Sequence, residues 1–543
     1  MWTIGPQPWA GMGKNIMDEA TADKFTANQA AERPIDDERF HDLVRGRSRP
    51  LLELARRLTA MGGGELALTR PLSGRLLLES GKLEELLDEY GASHNRRWSR
   101  FRALTATLRN FARIGQALAH VQRRLAAYRL QPVATDFPAA TGKQLHLVGG
   151  VVAEVAAGLL EEAQLLGIEI ENIAPSPEDF AEHLPPGRLV HNRDDRITGD
   201  TTTTVAHLAT EFLNLAAESD LVLAAARVAP ADYAACFPDP VSEERLRQLA
   251  FRFHNLQSLY DTHVAGTSIE TADPDLPTLR GHASVIYHLL GMATVLAHYY
   301  ERHVSPETGD TVLSERPVVD TDTTMATLFG YAMAFSSDYL AGGQRLSQGI
   351  LRRYAEPGRL EVPVPCYRGF HVRPSNLVAR IVAHYGSEVR MDMDGKLFDA
   401  GSPLDLFRAN ETINARKRRW LAEEIARVHP DRSGPLDAAA IEAAVLAIVH
   451  RLAGEGKIVV YRQPLQLSEQ IGQREGGVLE NTVAEIAGLQ ATGQIDIRTD
   501  LTVTFIGDKR VLADVDALAR HGYGEDAFGN NVLLPRELSY LRR

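Results

Sequence analysis

The sequence predicts a multi-domain chain: a mainly α-helical N-terminal bundle region, then a smaller C-terminal α+β region. Three observations predict it. The chain has 543 residues, roughly three to four times a typical domain of ~150. Apolar residues recur at three- and four-residue steps from Asp36 to about Tyr354. After Pro357-Gly358 the pattern changes to alternation broken by prolines and glycines.

The first 35 or so residues are rich in Gly, Pro, Ala and small polar residues without a sustained period, so 1–35 is expected to be a loose tail. Helices are then predicted over Arg39–Met61, Trp98–Tyr128, Val151–Leu166, Val205–Val228, Glu243–Val264, Ala283–His303 and Thr323–Tyr354. The run Val285, Ile286, Leu289, Leu290, Val295, Leu296, Tyr299 shows the spacing well. Breaks are expected at Pro185-Pro186-Gly187, Pro238-Asp239-Pro240, Asp273–Pro277 and Pro306. Long helices with short connections imply one antiparallel bundle or two across 36–356.

In the C-terminal region Leu360–Cys366 alternates, and its prolines, Pro363 and Pro365, demand an edge strand. A helix follows from Pro374 to about Tyr385. Val389, Met391 and Met393 then alternate into the turn Asp394-Gly395, with Leu397-Phe398 returning as a hairpin. Between the first strand and the helix stands Arg368-Gly369-Phe370-His371-Val372-Arg373-Pro374-Ser375. Gly369 permits the turn, and Pro374 suits a first helical turn. His371 is thus expected just before a helix N-terminus, where unpaired N–H groups and the dipole gather anions. Arg373 adds a guanidinium suited to phosphate. An imidazole there suits a phosphoryl acceptor.

This stretch resembles HPr, the histidine phosphocarrier of the phosphoenolpyruvate-dependent sugar phosphotransferase system, through Gly369-Phe370-His371-Val372-Arg373-Pro374. The resemblance implies an α+β open-faced sandwich, phosphorylation at His371 and phosphate stabilisation by Arg373. It implies a carrier rather than a self-contained catalyst, an enzyme I-type donor protein and an unidentified downstream protein acceptor. Ser402 falls where the family has a regulatory serine, although a Ser before Pro403 is equally an ordinary helix cap. Leu404, Leu406 and Phe407 are read as a partner-docking patch as in HPr, or as core. The match lapses after Asn410. Leu501–Ile506 and the helical face of Val511, Leu512, Val515, Leu518 and Ala519 look like the missing strand and helix. The implied layout is 357–410 and 498–530 for the HPr-like domain, 411–497 for an insertion and 531–543 for a C-terminal tail.

The remaining signals are thinner. Met61–Glu65 and Gly11-Met12-Gly13-Lys14 lack nucleotide-loop spacing and read as connectors. His282, His288, His298 and His303 do not repeat at ligand spacing, and Glu38-Arg39-Phe40-His41 stands alone, so no metal or cofactor is expected. Cys366 reads as a small core residue, and Arg416-Lys417-Arg418-Arg419 as a solvated helix face or a basic contact to an acidic partner. Lys plus Arg is 59 against 71 for Asp plus Glu, net −12, which argues against a general nucleic-acid binder. Met1–Glu19 lacks an export-signal pattern, and Leu145–Leu160 and Ile286–Tyr300 read as too short or too interrupted for a bilayer span of ~20 residues. A cytoplasmic location without membrane insertion is the expectation. Two other functions stay open: a regulatory scaffold that docks partners without phosphotransfer, and an unrecognised enzyme in the helical region.

Overall fold

The computed structural model describes residues 34–60, 68–169, 201–304, 319–428, 437–468, 471, 477–498 and 500–542. The expected tail up to residue 33, both glycine-rich connectors, and the breaks at Pro185-Pro186-Gly187 and Pro306 lie outside these residues. The described chain is mainly helical with a small antiparallel sheet. It divides into two compact units, Met1–His120 with Gly142–Pro186 and His298–Thr324, and Val121–Thr141 with Gly187–Ala297 and Met325–Arg543.

In the first unit, helix Asp37–Ala60 buries Phe40, Val44, Leu51 and Leu58, and helix Arg70–Glu89 buries Leu72, Leu76, Leu83 and Leu87. Thr69 caps the second helix by accepting the Leu72 N–H at 3.3 Å. Phe40 meets the Trp98 ring edge-on at 5.0 Å. His41 donates from Nε2 to the Leu166 carbonyl at 3.0 Å, which occupies the histidine of the Glu-x-x-His pattern. Among the described residues no cluster of His, Cys, Asp or Glu could hold a metal ion. Helix Phe137–Leu165 corrects one expectation: its 29 residues are long and apolar enough to cross a membrane by length and composition, and 44% of its most apolar window is buried. Leu145–Leu160 is only the middle of this longer helix, which is why it read as too short.

In the second unit, helices Thr201–Ala217, Glu243–His263 and Ala334–Arg353 pack closely. Gly343 lets the last of these approach the first: a Cβ there would sit 2.1 Å from the Phe212 ring. The regular helix expected over Thr323–Tyr354 instead contains an eight-residue π-helical stretch, Ala326–Met333, between Thr321–Met325 and Ala334–Arg353. Tyr331 within it bonds Thr141 at 2.8 Å. The break expected at Asp273–Pro277 falls at Asp273-Pro274, between helices Ser268–Ala272 and Asp275–Tyr299, and Pro277 lies in the first turn of the latter, where a missing N–H costs little.

The C-terminal part is built from β1 (Pro357–Pro363), β2 (Arg390–Met393), β3 (Lys396–Asp399), β4 (Ile458–Val460), β5 (Ile495–Ile497) and β6 (Thr502–Asp508). Four strands form one antiparallel sheet in the order β1-β6-β2-β3, so β1 is an edge, as its prolines require. β6 arrives from beyond residue 497 and pairs with both β1 and β2; Phe505 stands opposite Leu360 on one side and Met391 on the other. Val503 and Phe505 are buried while Thr502 is exposed, the alternation of a strand covered on one face. Helices Val372–Tyr385 and Lys509–Arg520 supply apolar cover through Val378, Ile381, Val382, Val511, Val515 and Leu518. Asp394 and Gly395, at φ 58° and 80°, make the two-residue hairpin turn between β2 and β3.

Several expectations change here. β1 ends at Pro363, three residues before Cys366, so Cys366 leaves the strand and is exposed rather than core. Helix Pro403–Val428 is a single element of 26 residues, so the resemblance lapses at Asn410 inside a helix. Beyond it, helices Ala438–Gly454 and Val478–Ala491 with the β4-β5 pair enclose their own core, including Leu421, Ile441, Val445, Ile486 and Ile495. Residues 531–542 are no free tail, because Leu538, Tyr540 and Leu541 are buried and Tyr540 bonds Asp514.

Candidate functional site around His371

The chain leaves β1 and turns through two consecutive left-handed residues, Arg368 (φ 53°) and Gly369 (φ 62°). At Gly369 a side chain is excluded twice, by that φ and by Asn410 Oδ1, which a Cβ would approach to 2.2 Å. Phe370 then plunges into the core against Phe505 and Tyr523. His371, at φ −75° and ψ −170°, is the N-cap residue of helix Val372–Tyr385. The Ser375 N–H donates to the His371 carbonyl at 3.1 Å, and the Ser375 hydroxyl donates to the Phe370 carbonyl at 2.9 Å. The amides of Val372 and Arg373, in the first turn, have no intrahelical acceptor and lie at the positive end of the dipole.

The imidazole is neither free nor walled in. Its side chain is 23% exposed, and Nε2 lies 2.7 Å from Oε1 of Glu525, whose side chain is 2% exposed. An ionised carboxylate only accepts, so Nε2 is the donor in this bond. No hydrogen bond to Nδ1 is formed among the described residues. The Tyr367 ring stands edge-on to the imidazole at 5.4 Å. Glu525 is delivered by Gly522, Tyr523 and Gly524, all left-handed, with the Tyr523 hydroxyl donating to the Pro363 carbonyl at 2.8 Å.

Arg373 does not stand open for an incoming anion, as the sequence reading had it. Its Nη1 is 3.5 Å from Glu525 Oε2 and donates at 3.4 Å to the Gly529 carbonyl. Both contacts are long for a guanidinium, and its side chain is 40% exposed. Glu525 Oε2 is buried without a hydrogen-bond partner.

No family model, no curated protein and no solved structure matches this chain. The chemistry of the site is therefore read from its own atoms.

The other candidate residues separate. Ser402 Oγ accepts the Asp405 N–H at 3.2 Å and caps helix Pro403–Val428. Leu406 is fully buried and belongs to the core, which removes it from any docking patch, whereas Leu404 and Phe407 are exposed. Among the described residues no hydrogen bond or ion pair joins Ser402 to His371, Arg373 or Glu525. Lys417, expected on a solvated face, is buried and bonded to both oxygens of Asp496 at 2.8 and 3.0 Å. Arg416 pairs with Asp394 instead of an outside partner.

His282 accepts the Gln131 N–H at Nε2 and donates from Nδ1 to the Tyr339 carbonyl, both at 3.2 Å. Burial lowers its pKa to about 4. It is a neutral core histidine. Sequence reading missed Glu525, Asp496, Asn410 and Tyr367. Only the Gly522-Tyr523-Gly524 turn hinted that something beyond the last helix is aimed with care.

Proposed function

We propose that this chain is an HPr-like phosphocarrier or phosphorelay regulator, with His371 accepting a phosphoryl group from an enzyme I-type donor protein in the cytoplasm. The observation that carries the reading is the Glu525–His371 pair at a helix N-terminus: the carboxylate accepts from Nε2–H and so leaves Nδ1 as the nucleophile. The return of β6 to pair with β1 and β2 across the insertion supports the α+β sandwich that the resemblance implies.

In the transfer, the Nδ1 lone pair attacks phosphorus. The bond from phosphorus to the donor breaks, and its electron pair stays with the donor. The proton remains on Nε2, so His371 becomes a phosphorylated imidazolium whose positive charge Glu525 stabilises. Arg373, loosely held, turns its guanidinium from Glu525 and Gly529 to the phosphoryl oxygens. The helix N-terminus adds its first-turn amides. The return step is the same chemistry toward a downstream protein.

One observation favours the second reading, a docking scaffold without phosphotransfer. Arg373 and His371 already share Glu525, so the site is charge-balanced with no anion bound. Phosphoenolpyruvate with an enzyme I-type donor separates the two. The carrier reading expects an acid-labile, base-stable adduct that disappears in His371→Ala, whereas no adduct with any competent donor leaves the scaffold.

A further inference from the structure

The insertion reaches the loop that presents His371. Asp496, at the middle of β5, accepts the Arg368 N–H at Oδ2 (3.0 Å), and the Arg368 guanidinium donates from Nη2 to the Gly493 carbonyl at 2.9 Å. At the other end of the insertion, Asn410 Nδ2 donates to the Arg368 carbonyl at 2.9 Å. Both backbone polar groups of one left-handed residue are thus held by side chains, one inside the inserted segment and one just before it. A non-glycine residue in that conformation is costly and persists only where its surroundings enforce it.

The carboxylate that enforces it is itself fully bonded. Lys417 Nζ reaches both oxygens, and the Ile497 N–H donates to Oδ1 at 2.7 Å. Lys417 and Asp496 are 2% and 4% exposed. Replacing a buried ion pair by apolar residues of similar volume is often neutral for stability, so the charge pair alone does not explain this arrangement. What apolar residues cannot do is accept the Arg368 N–H. The insertion also supports the next ring: Tyr461 meets Tyr367 edge-on at 5.1 Å, and Tyr367 in turn meets His371.

We propose that the insertion is a working part of the His371 site, with Asp496 inside it and Asn410 just before it acting as positioning residues that set the Arg368-Gly369 turn and so the pose of the imidazole, while Lys417 serves only to neutralise Asp496. This rests on His371 being the phosphoryl acceptor, but the pose is measurable without phosphate.

The test uses the full chain and two double variants that remove the buried charge pair. Lys417→Met with Asp496→Asn keeps an acceptor for the Arg368 N–H, and Lys417→Met with Asp496→Leu removes it. Two readouts are taken: the ¹⁵N shifts of the His371 ring, and the rate of His371 phosphorylation by the small donor phosphoramidate. The Asn pair is expected to keep one tautomer and a rate within about threefold of wild type. The Leu pair is expected to show tautomer averaging and at least a tenfold slower rate at unchanged circular dichroism. Asn410→Ala, which loosens the same turn without touching the ion pair, is expected to move both readouts in the same direction and covers the case in which the Leu pair does not fold. Wild-type-like ring shifts in the folded Leu pair, or in Asn410→Ala, overturn the proposal. A wild-type chain that takes no phosphoryl group from any donor overturns the acceptor reading instead and leaves the ring shifts to decide this one.

Discussion

Glu525 Oε1 lies 2.7 Å from His371 Nε2, although 154 residues of chain separate them. The carboxylate is buried and the imidazole partly exposed, at the N-cap of helix Val372–Tyr385. Such a partner fixes the tautomer and orientation of the ring and stabilises the cation formed when Nδ1 reacts.

Replacing Glu525 by Gln tests that role. The amide keeps the size but presents a neutral oxygen or a donor to Nε2. Loss of a supporting partner of this kind typically costs ten- to a hundredfold in activity. Phosphorylation of His371 is therefore expected to slow by about that factor in Glu525→Gln while the melting temperature changes little. Stopped-time assays of adduct formation read it, and an unchanged rate would show that the ring needs no carboxylate.

Arg373 is expected to act mainly after the chemistry begins. Its present contacts, at 3.4 and 3.5 Å, are weak enough to exchange for phosphoryl oxygens. Arg373→Ala should lower the accepted phosphoryl by about tenfold, and Arg373→Lys should restore part of it, because a lysine supplies charge without the planar fork. Equal loss in both variants would favour geometry over charge, and no loss in either would remove Arg373 from the site.

Acid stability follows from histidines buried away from the site. His282, His303 and His384 each have a pKa lowered to about 4, chiefly by burial. The folded pKa lies below the unfolded value of about 6.5, so the unfolded chain binds more protons between these pH values. Stability is complete above about pH 6.5 and falls as the pH drops toward 4. Each histidine should contribute an unfolding penalty of about 2 kcal/mol at pH 5 relative to pH 7. His384 stacks on Tyr540 with ring centres 4.0 Å apart and donates from Nε2 to Asn214 Oδ1 at 3.0 Å. His384→Gln keeps a donor there, and urea titrations of this variant should lose less stability between pH 7 and 5 than wild type.

The close approach at Gly281 gives a check on the helical packing. A Cβ there would sit 1.8 Å from the Tyr128 carbonyl oxygen, a backbone atom that cannot turn aside. Gly281→Ala should destabilise the chain by about 1–3 kcal/mol, read as a lower urea midpoint. A midpoint equal to wild type would contradict this helix contact.

What was legible in the sequence was local. Asp394-Gly395 needs only its own two residues to make a hairpin turn, and the edge position of β1 agrees with the expectation from Pro363 and Pro365, although only Pro363 of the two lies in the strand. The His371 motif carries its own turn and helix start. What was illegible was of two kinds. Glu525 and Asp496 act over long separations that no periodicity records. Lys417 was hidden by its neighbours: a run of four basic residues reads as solvated. Yet Ile413, Lys417, Leu421 and Ile425 are spaced by four, and all are buried. The helical period thus placed Lys417 in the buried stripe even though its charge suggested otherwise. The lapse of resemblance at Asn410 falls inside helix Pro403–Val428, since a lapse in resemblance is not a helix breaker.

The most direct measurement is nitrogen-resolved NMR of the uniformly ¹⁵N-labelled chain after incubation with phosphoenolpyruvate and an enzyme I-type donor. The account predicts a single phosphorus–nitrogen bond at Nδ1 of His371, with the Nε2 proton retained. A phosphoryl group at Nε2, on another residue, or nowhere on the chain would contradict it.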